Sequence, residues 1–326
     1  MIVFALLFLF WLAPSSSLAC ASCGCTLSSD WGDTQQQGFK LDLRYDFIDQ
    51  SQLRTGTTTI SPEAASKLVN GGGSQEVEVR TRNTYLTAGL DYQINDSWSI
   101  AALLPYIMRD HSTLGTASDG VTGGPGGGQY DSSTSNFGDA KILARYLGLT
   151  PQHNLSFLFG FKLPTGSHTL VGTSTDPSSP GPVPIDRGLQ PGSGTTDAIV
   201  GLTYTEALNK NWDYFTEVLA QTALTISDQY RPGDGYNFNF GFRYMGYDFW
   251  KPQAQLNARY VERDSGAAAD QFSTGGTLLY FSPGAFFPVG GGVELYAFFQ
   301  VPLYQNLQGV QLAPLFTASL GARYVF

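Results

Sequence analysis

Ser319-Leu320-Gly321-Ala322-Arg323-Tyr324-Val325-Phe326 closes the 326-residue sequence. Leu320, Ala322, Tyr324 and Phe326 share one parity, which runs back through Ala318 and Phe316; Arg323, Gly321, Ser319 and Thr317 share the other. Successive side chains of a strand point to opposite faces, so this segment predicts a β-strand with one apolar and one polar face. A strand at the end of a soluble sandwich would alternate in the same way. The distinction rests on the rest of the chain.

The alternation recurs from residue 39 onward. Phe39, Leu41, Leu43, Tyr45 and Phe47 oppose Lys40, Asp42, Arg44 and Asp46, and Leu155, Phe157, Phe159 and Phe161 oppose Ser156, Gly160 and Lys162. Tyr236, Phe238, Phe240 and Phe242 oppose Asn237, Asn239, Gly241 and Arg243 in the same manner. Such segments number about twelve, an even count, as in single-chain bacterial barrels. Segments 212–224 and 274–283 are the least regular. Aromatics such as Tyr45, Trp98, Tyr146, Trp212 and Tyr324 gather near segment ends, where a barrel meets the two membrane interfaces. Tight connections near 95–97, 148–153, 207–211, 246–252 and 285–292 alternate with longer ones at 48–83, 109–136, 165–196, 226–235, 262–274 and 303–313. The predicted fold is all-β, a transmembrane antiparallel up-and-down β-barrel of about 12 strands. The terminal octet resembles the C-terminal signal of outer-membrane barrels, with Gly321, Tyr324 and Phe326 as its assembly residues.

Composition agrees. Mean hydropathy is -0.10 and 14% of residues are charged. A helical membrane protein would be far more apolar, whereas a barrel averages its lipid-facing and lumen-facing sets. The net charge of -9 argues against nucleic-acid binding, which needs a basic footprint. Ile2 to Ala13 form an apolar run, too short to span a bilayer, ending before Pro14 and the small residues Ser17-Leu18-Ala19. This is the pattern of a secretory signal peptide, although the basic n-region is lacking. The expected organisation is a signal peptide over 1–19, a periplasmic cysteine-containing segment over 20–37 and an outer-membrane barrel over 38–326. The outer membrane of a Gram-negative bacterium is the expected location, with lipid, the barrel assembly machinery and a small-molecule solute as partners.

Cys20, Cys23 and Cys25 are the chain's three cysteines. Their spacing admits a disulfide in the oxidising periplasm, a soft metal such as Cu(I) or Zn(II), or lipidation of Cys20 if cleavage follows Ala19. No His follows a Cys-x-x-Cys, so covalent haem attachment is excluded. No other cofactor is expected.

Parity assigns an inward, lumen-lining set. It comprises Lys40, Asp42, Arg44, Asp46, Asp91, Asp139, Lys141, Arg145, Lys162, Asp197, Glu217, Arg243, Arg259, Glu294 and Arg323, together with Asp213. Eight are basic and eight acidic, so the wall is nearly neutral and the net charge falls to loops and termini. A balanced wall argues against a strongly ion-selective pore. Leu103, Leu143, Leu158, Ile199, Phe215, Leu219, Tyr296 and Phe298 share the inward parity and offer either an apolar path or a packed plug.

Lys162-Leu163-Pro164-Thr165-Gly166 and Leu189-Gln190-Pro191-Gly192-Ser193-Gly194-Thr195-Thr196-Asp197 carry a resemblance. With Ser282-Pro283-Gly284, Val301-Pro302-Leu303-Tyr304-Gln305 and Gly309-Val310-Gln311-Leu312, they resemble the outer-membrane transporter-like family labelled meta-pathway of phenol degradation, over about residues 80–326. The resemblance implies a barrel that admits hydrophobic or aromatic compounds; the cysteine cluster is not part of its pattern. The expected function is therefore a channel for such solutes, not an enzyme. The alternative is a scaffold for a periplasmic redox or metal-handling partner engaged through the cysteines. His111 and His168 fall in predicted loops and His153 in a turn, with no Ser/His/acid pattern nearby.

Overall fold

The alternating segments pair, each with its neighbour in the chain, into one antiparallel sheet that closes on itself. The computed structural model describes residues 38–70, 77–114, 129–174 and 181–326; the cysteine cluster and the predicted signal peptide lie outside them. Its strands are β1 (Gly38–Gly56), β2 (Thr58–Thr59), β3 (Val77–Asn95), β4 (Trp98–Leu114), β5 (Gln129–Phe137), β6 (Lys141–Tyr146), β7 (Leu155–Lys162), β8 (Val171–Ser174), β9 (Gly181–Pro184), β10 (Asp197–Ala207), β11 (Trp212–Ala223), β12 (Gly235–Tyr244), β13 (Lys251–Val261), β14 (Gly276–Gly290) and β15 (Val293–Val325). A helix, α1 (Pro62–Asn70), lies between β2 and β3.

The wall runs β15-β14-β13-β12-β11-β10-β7-β6-β4-β3-β1, and β15 pairs with β1 to close it. β15 is 33 residues long. Val293 to Leu307 pair with β14, and Val310 to Val325 pair with β1. The chain reverses near Gly309, whose φ of 68° suits glycine, and crosses the wall twice. Eleven strand elements thus close the barrel, and because β15 crosses twice the wall has twelve crossings. The ends meet at one rim, where Phe39 N donates to Phe326 O (3.2 Å) and Phe326 N to Phe39 O (3.0 Å). β2 and β5 join the sheet without adding a wall position, β5 pairing with the far end of β4 beyond β6.

The faces are inverted relative to a soluble protein. Leu43, Leu86, Ile100, Ile142, Leu202, Val218, Phe238 and Leu320 point outward and are exposed, while Asp46, Asp139, Lys162, Asp197 and Arg323 are buried inside. A contiguous exposed apolar surface of this kind is a lipid-facing band. At the terminal rim Phe39 meets Tyr92 (4.5 Å between ring centroids), Trp98 meets Tyr146 (4.7 Å) and Trp212 meets Tyr244 (5.0 Å), forming an aromatic belt.

Several predicted connections are shorter than expected. β1 continues to Gly56 and β3 begins at Val77, so much of 48–83 is strand and helix. The strands outrun their own alternation because beyond the lipid band neither face needs to be apolar. The helix had a readable start: Ser61 Oγ accepts from Ala64 N (3.3 Å), Pro62 opens the first turn and Glu63 follows. Its Ala65 packs with Leu53, Val77, Val310 and Leu312 at the distal rim. His111 is likewise not in a loop; it is buried in β4, with Nδ1 2.7 Å from Thr81 Oγ1.

Candidate functional site

Two cavities open inside the closed wall among the described residues. The lower, of about 150 Å³, sits toward the terminal rim and is lined by Lys40, Asp42, Arg44, Asp91, Arg145 and Arg323, with Leu103, Leu143 and Leu158. The upper, of about 410 Å³, is lined by Arg44, Asp46, Asp139, Lys141, Lys162, Asp197 and Arg259, with Tyr85, Ile107 and Leu219. Arg44, Thr87 and Leu103 line both, and so form a waist between them.

The other four charged positions of the inward set, Asp213, Glu217, Arg243 and Glu294, line neither cavity. Arg243 Nη2 pairs with Asp213 at 2.6 Å. Glu217 accepts from Asn239 Nδ2 (2.7 Å), and Glu294 lies 3.6 Å from Lys251 and 3.8 Å from Arg323. An uncharged seam continues from Glu217. Asn257 Nδ2 donates to Asn239 Oδ1 (2.8 Å), and Asn257 Oδ1 accepts from Gln300 Nε2 (3.3 Å). These amides share the inward parity but escape a reading that sorts only charges.

One side of the interior is filled. Phe286, Tyr296 and Phe298 are buried together, with Arg323 stacked 5.9 Å from the Phe286 and Tyr296 rings. Glycines make room for the rings. A Cβ on Gly321 would stand 2.1 Å from the Tyr296 ring, on Gly284 2.1 Å from Phe298, and on Gly241 2.6 Å from Phe215. Tyr296 Oη then reaches across to donate to Asp42 Oδ1 (2.8 Å). Of the apolar inward residues, Leu103, Leu143, Leu158 and Leu219 line the open space, whereas Ile199, Phe215, Tyr296 and Phe298 are packed.

Between β9 and β10 the chain reaches inward, and Arg187, Gly188 and Pro191 to Ser193 line the upper cavity. Both long motifs of the family resemblance meet here. Asp139 accepts from Gly166 N (3.0 Å), Ser193 N (2.9 Å) and Ser193 Oγ (2.9 Å). Lys162 lies 3.3 Å from Asp139 and 2.9 Å from Asp197, and also binds Ser193 Oγ. Gly138, Gly166 and Gly192 stack so closely that a Cβ on Gly166 would lie 2.8 Å from Gly192 Cα. The prolines and glycines of these motifs therefore build a clasp that holds the loop against the wall. Arg109 braces the loop from the opposite side through the carbonyls of Gly188 (3.2 Å) and Gln190 (3.5 Å).

At the distal rim Tyr230 Oη donates to Asp264 Oδ2 (2.8 Å), and Gly233 N donates to Asp264 Oδ1 (2.7 Å). Burial pushes the Asp264 carboxyl up from 3.8 to about 6, against these hydrogen bonds, which favour the anion. A raised folded-state value stabilises the packed rim fully only below the unfolded pKa, and the gain is lost as pH rises through about 6. Protease cleavage within 224–234 and 262–275 is accordingly expected to be slower at about pH 5 than at about pH 8. Asp264→Asn should abolish the difference, measured with a protease active at both values.

Among the described residues no group of three His, Cys, Asp or Glu is placed to hold a metal ion. No family model matches the sequence, and no curated protein matches it. Solved structures do. The COG4313 outer membrane channel from Pseudomonas putida F1 superposes with a TM-score of 0.65 at 16% identity, covering 92% of this chain and 100% of that one. A deltaS2S3 mutant of TodX, a monoaromatic hydrocarbon channel, gives 0.50 at 12% identity over 95% of this chain and 96% of that one. The Ralstonia pickettii toluene transporter TbuX gives 0.49 at 14% identity, with 90% of each chain covered. With its closed wall, inverted faces and inward loop, the chain has the fold of outer-membrane channel barrels.

Proposed function

We propose that this protein lies in the outer membrane of a Gram-negative bacterium, with its terminal rim toward the periplasm, and admits small hydrophobic or aromatic solutes through the barrel. The observation that carries this reading is the pair of cavities joined at Arg44, Thr87 and Leu103. Their walls combine charged groups with Tyr85, Ile107, Leu143, Leu158 and Leu219, so an apolar ring finds contacts in both cavities. The structural likeness to TodX, a monoaromatic hydrocarbon channel, is consistent with that solute class.

Conductance of the reconstituted mature chain in a planar bilayer tests the proposal. A steady conductance reduced by benzyl alcohol supports it; a barrel that passes no current and no aromatic solute overturns it. Leu103→Trp places a large ring in the waist, and should cut both ion current and aromatic entry to less than half while leaving barrel assembly intact.

A further inference from the structure

The upper cavity contains a charge arrangement that neutral-solute passage does not require. Lys141 and Lys162 sit directly opposite each other on β6 and β7, both facing inward. Like charges so placed repel. Lys162 is neutralised by Asp139 and Asp197. Lys141 makes no ion pair or side-chain hydrogen bond among the described residues. Lys162, Arg259 and Arg44 add positive charge around it, and Asp197 adds negative charge.

The carboxylates lining the same cavity are engaged. Asp46 accepts from Arg44 Nε (2.8 Å) and Ser319 Oγ (2.5 Å). Asp139 serves the loop clasp. Asp197 accepts from Thr195 Oγ1 (2.7 Å) and Gln221 Nε2 (2.6 Å), besides Lys162. Asp264 is held by Tyr230 and Gly233. An ammonium that faces the cavity among other cations, with the neighbouring carboxylates already engaged, is stabilised when an anion joins it. Leu103 stands opposite Lys141 on β4, so the ammonium borders an aliphatic surface at the waist. The space, about 410 Å³, suits a single small ring with a polar head.

We propose that Lys141 is a binding residue for the carboxylate of a small aromatic acid, whose ring lies against Leu103 and the neighbouring apolar wall. The inference rests on the reading of the barrel as an entry route for aromatic solutes, and narrows the solute to one that carries an anionic head.

The test is block of the reconstituted full barrel at neutral pH by benzoate and by benzamide, its neutral counterpart. Benzoate should block at a lower concentration than benzamide. Lys141→Gln should raise the half-blocking concentration of benzoate about tenfold, the loss expected for one charge-assisted hydrogen bond, and leave that of benzamide unchanged. Lys141→Arg should retain the benzoate block, which separates loss of charge from loss of fold. Lys251→Gln, near Glu294 and away from both cavities, should have no effect. Equal block by the two probes, or an equal shift of both in Lys141→Gln, overturns the acid site while leaving aromatic entry standing. Failure of both probes to affect the current overturns the site and the entry reading together.

Discussion

Gly321→Ala is expected to destabilise the folded barrel by about 3 kcal/mol, the upper end of the usual cost of overpacking a tight interior. A methyl group there would lie 2.1 Å from the Tyr296 ring, which cannot retreat without losing its hydrogen bond to Asp42 and its contacts with Phe286 and Phe298. The test is a double-mutant cycle by urea unfolding of the protein in lipid. In a Tyr296→Ser background the same glycine change should cost under about 1 kcal/mol, because the ring that opposes it has gone. Tyr296→Ser alone will be destabilising through lost packing, so the coupling and not the absolute stability is decisive. An undiminished cost in the Tyr296→Ser background would show that the Tyr296 ring is not what the absence of a side chain at Gly321 accommodates.

Lys162→Met should have a comparable or larger effect, with a functional signature. Asp139 and Asp197 have side chains only 7% and 3% exposed, and removing their shared cation leaves two buried carboxylates beside each other. Breaking a buried ion pair from one side typically costs about 3–5 kcal/mol. The clasp on the inward segment also fails, since Ser193 loses a partner and Asp139 is repelled by Asp197. The expected result is a lower unfolding midpoint together with a larger, noisier single-channel current, as the segment lining the upper cavity swings free. Lys162→Arg should retain most of the stability. An unchanged current in Lys162→Met would show that the bonds to Asp139 and the Arg109 brace keep the segment in place without the lysine.

The barrel was legible because its signal is local. Within the lipid band each strand must show one face to hydrocarbon and one to a polar interior, so period-two alternation appears in almost every segment, from Phe39–Phe47 to Ala318–Phe326. Where that demand ends, so does the signal. Gln50, Ser51 and Gln52 still belong to β1, but nothing in their polarity marks them as strand. The β14–β15 region was blurred for a related reason: prolines and glycines at 283, 284 and 288 interrupt the pattern, and the Gly309 turn leaves two crossings in one uninterrupted strand.

Side-chain parity, a property of the sequence alone, set the face of each charged residue. Which of those residues meet was decided by closure of the sheet. Tyr296 and Asp42 are 254 positions apart and touch only because β15 returns to β1; Asp139 and Ser193 are 54 apart and meet only when the motifs flanking the inward loop converge. The same closure packs Phe286, Tyr296 and Phe298 into one side of the interior and leaves the cavities on the other. Alternation is a one-dimensional constraint imposed by the bilayer on every strand separately. The filled side, the waist and the lone ammonium of Lys141 depend on three-dimensional distances that no single strand contains.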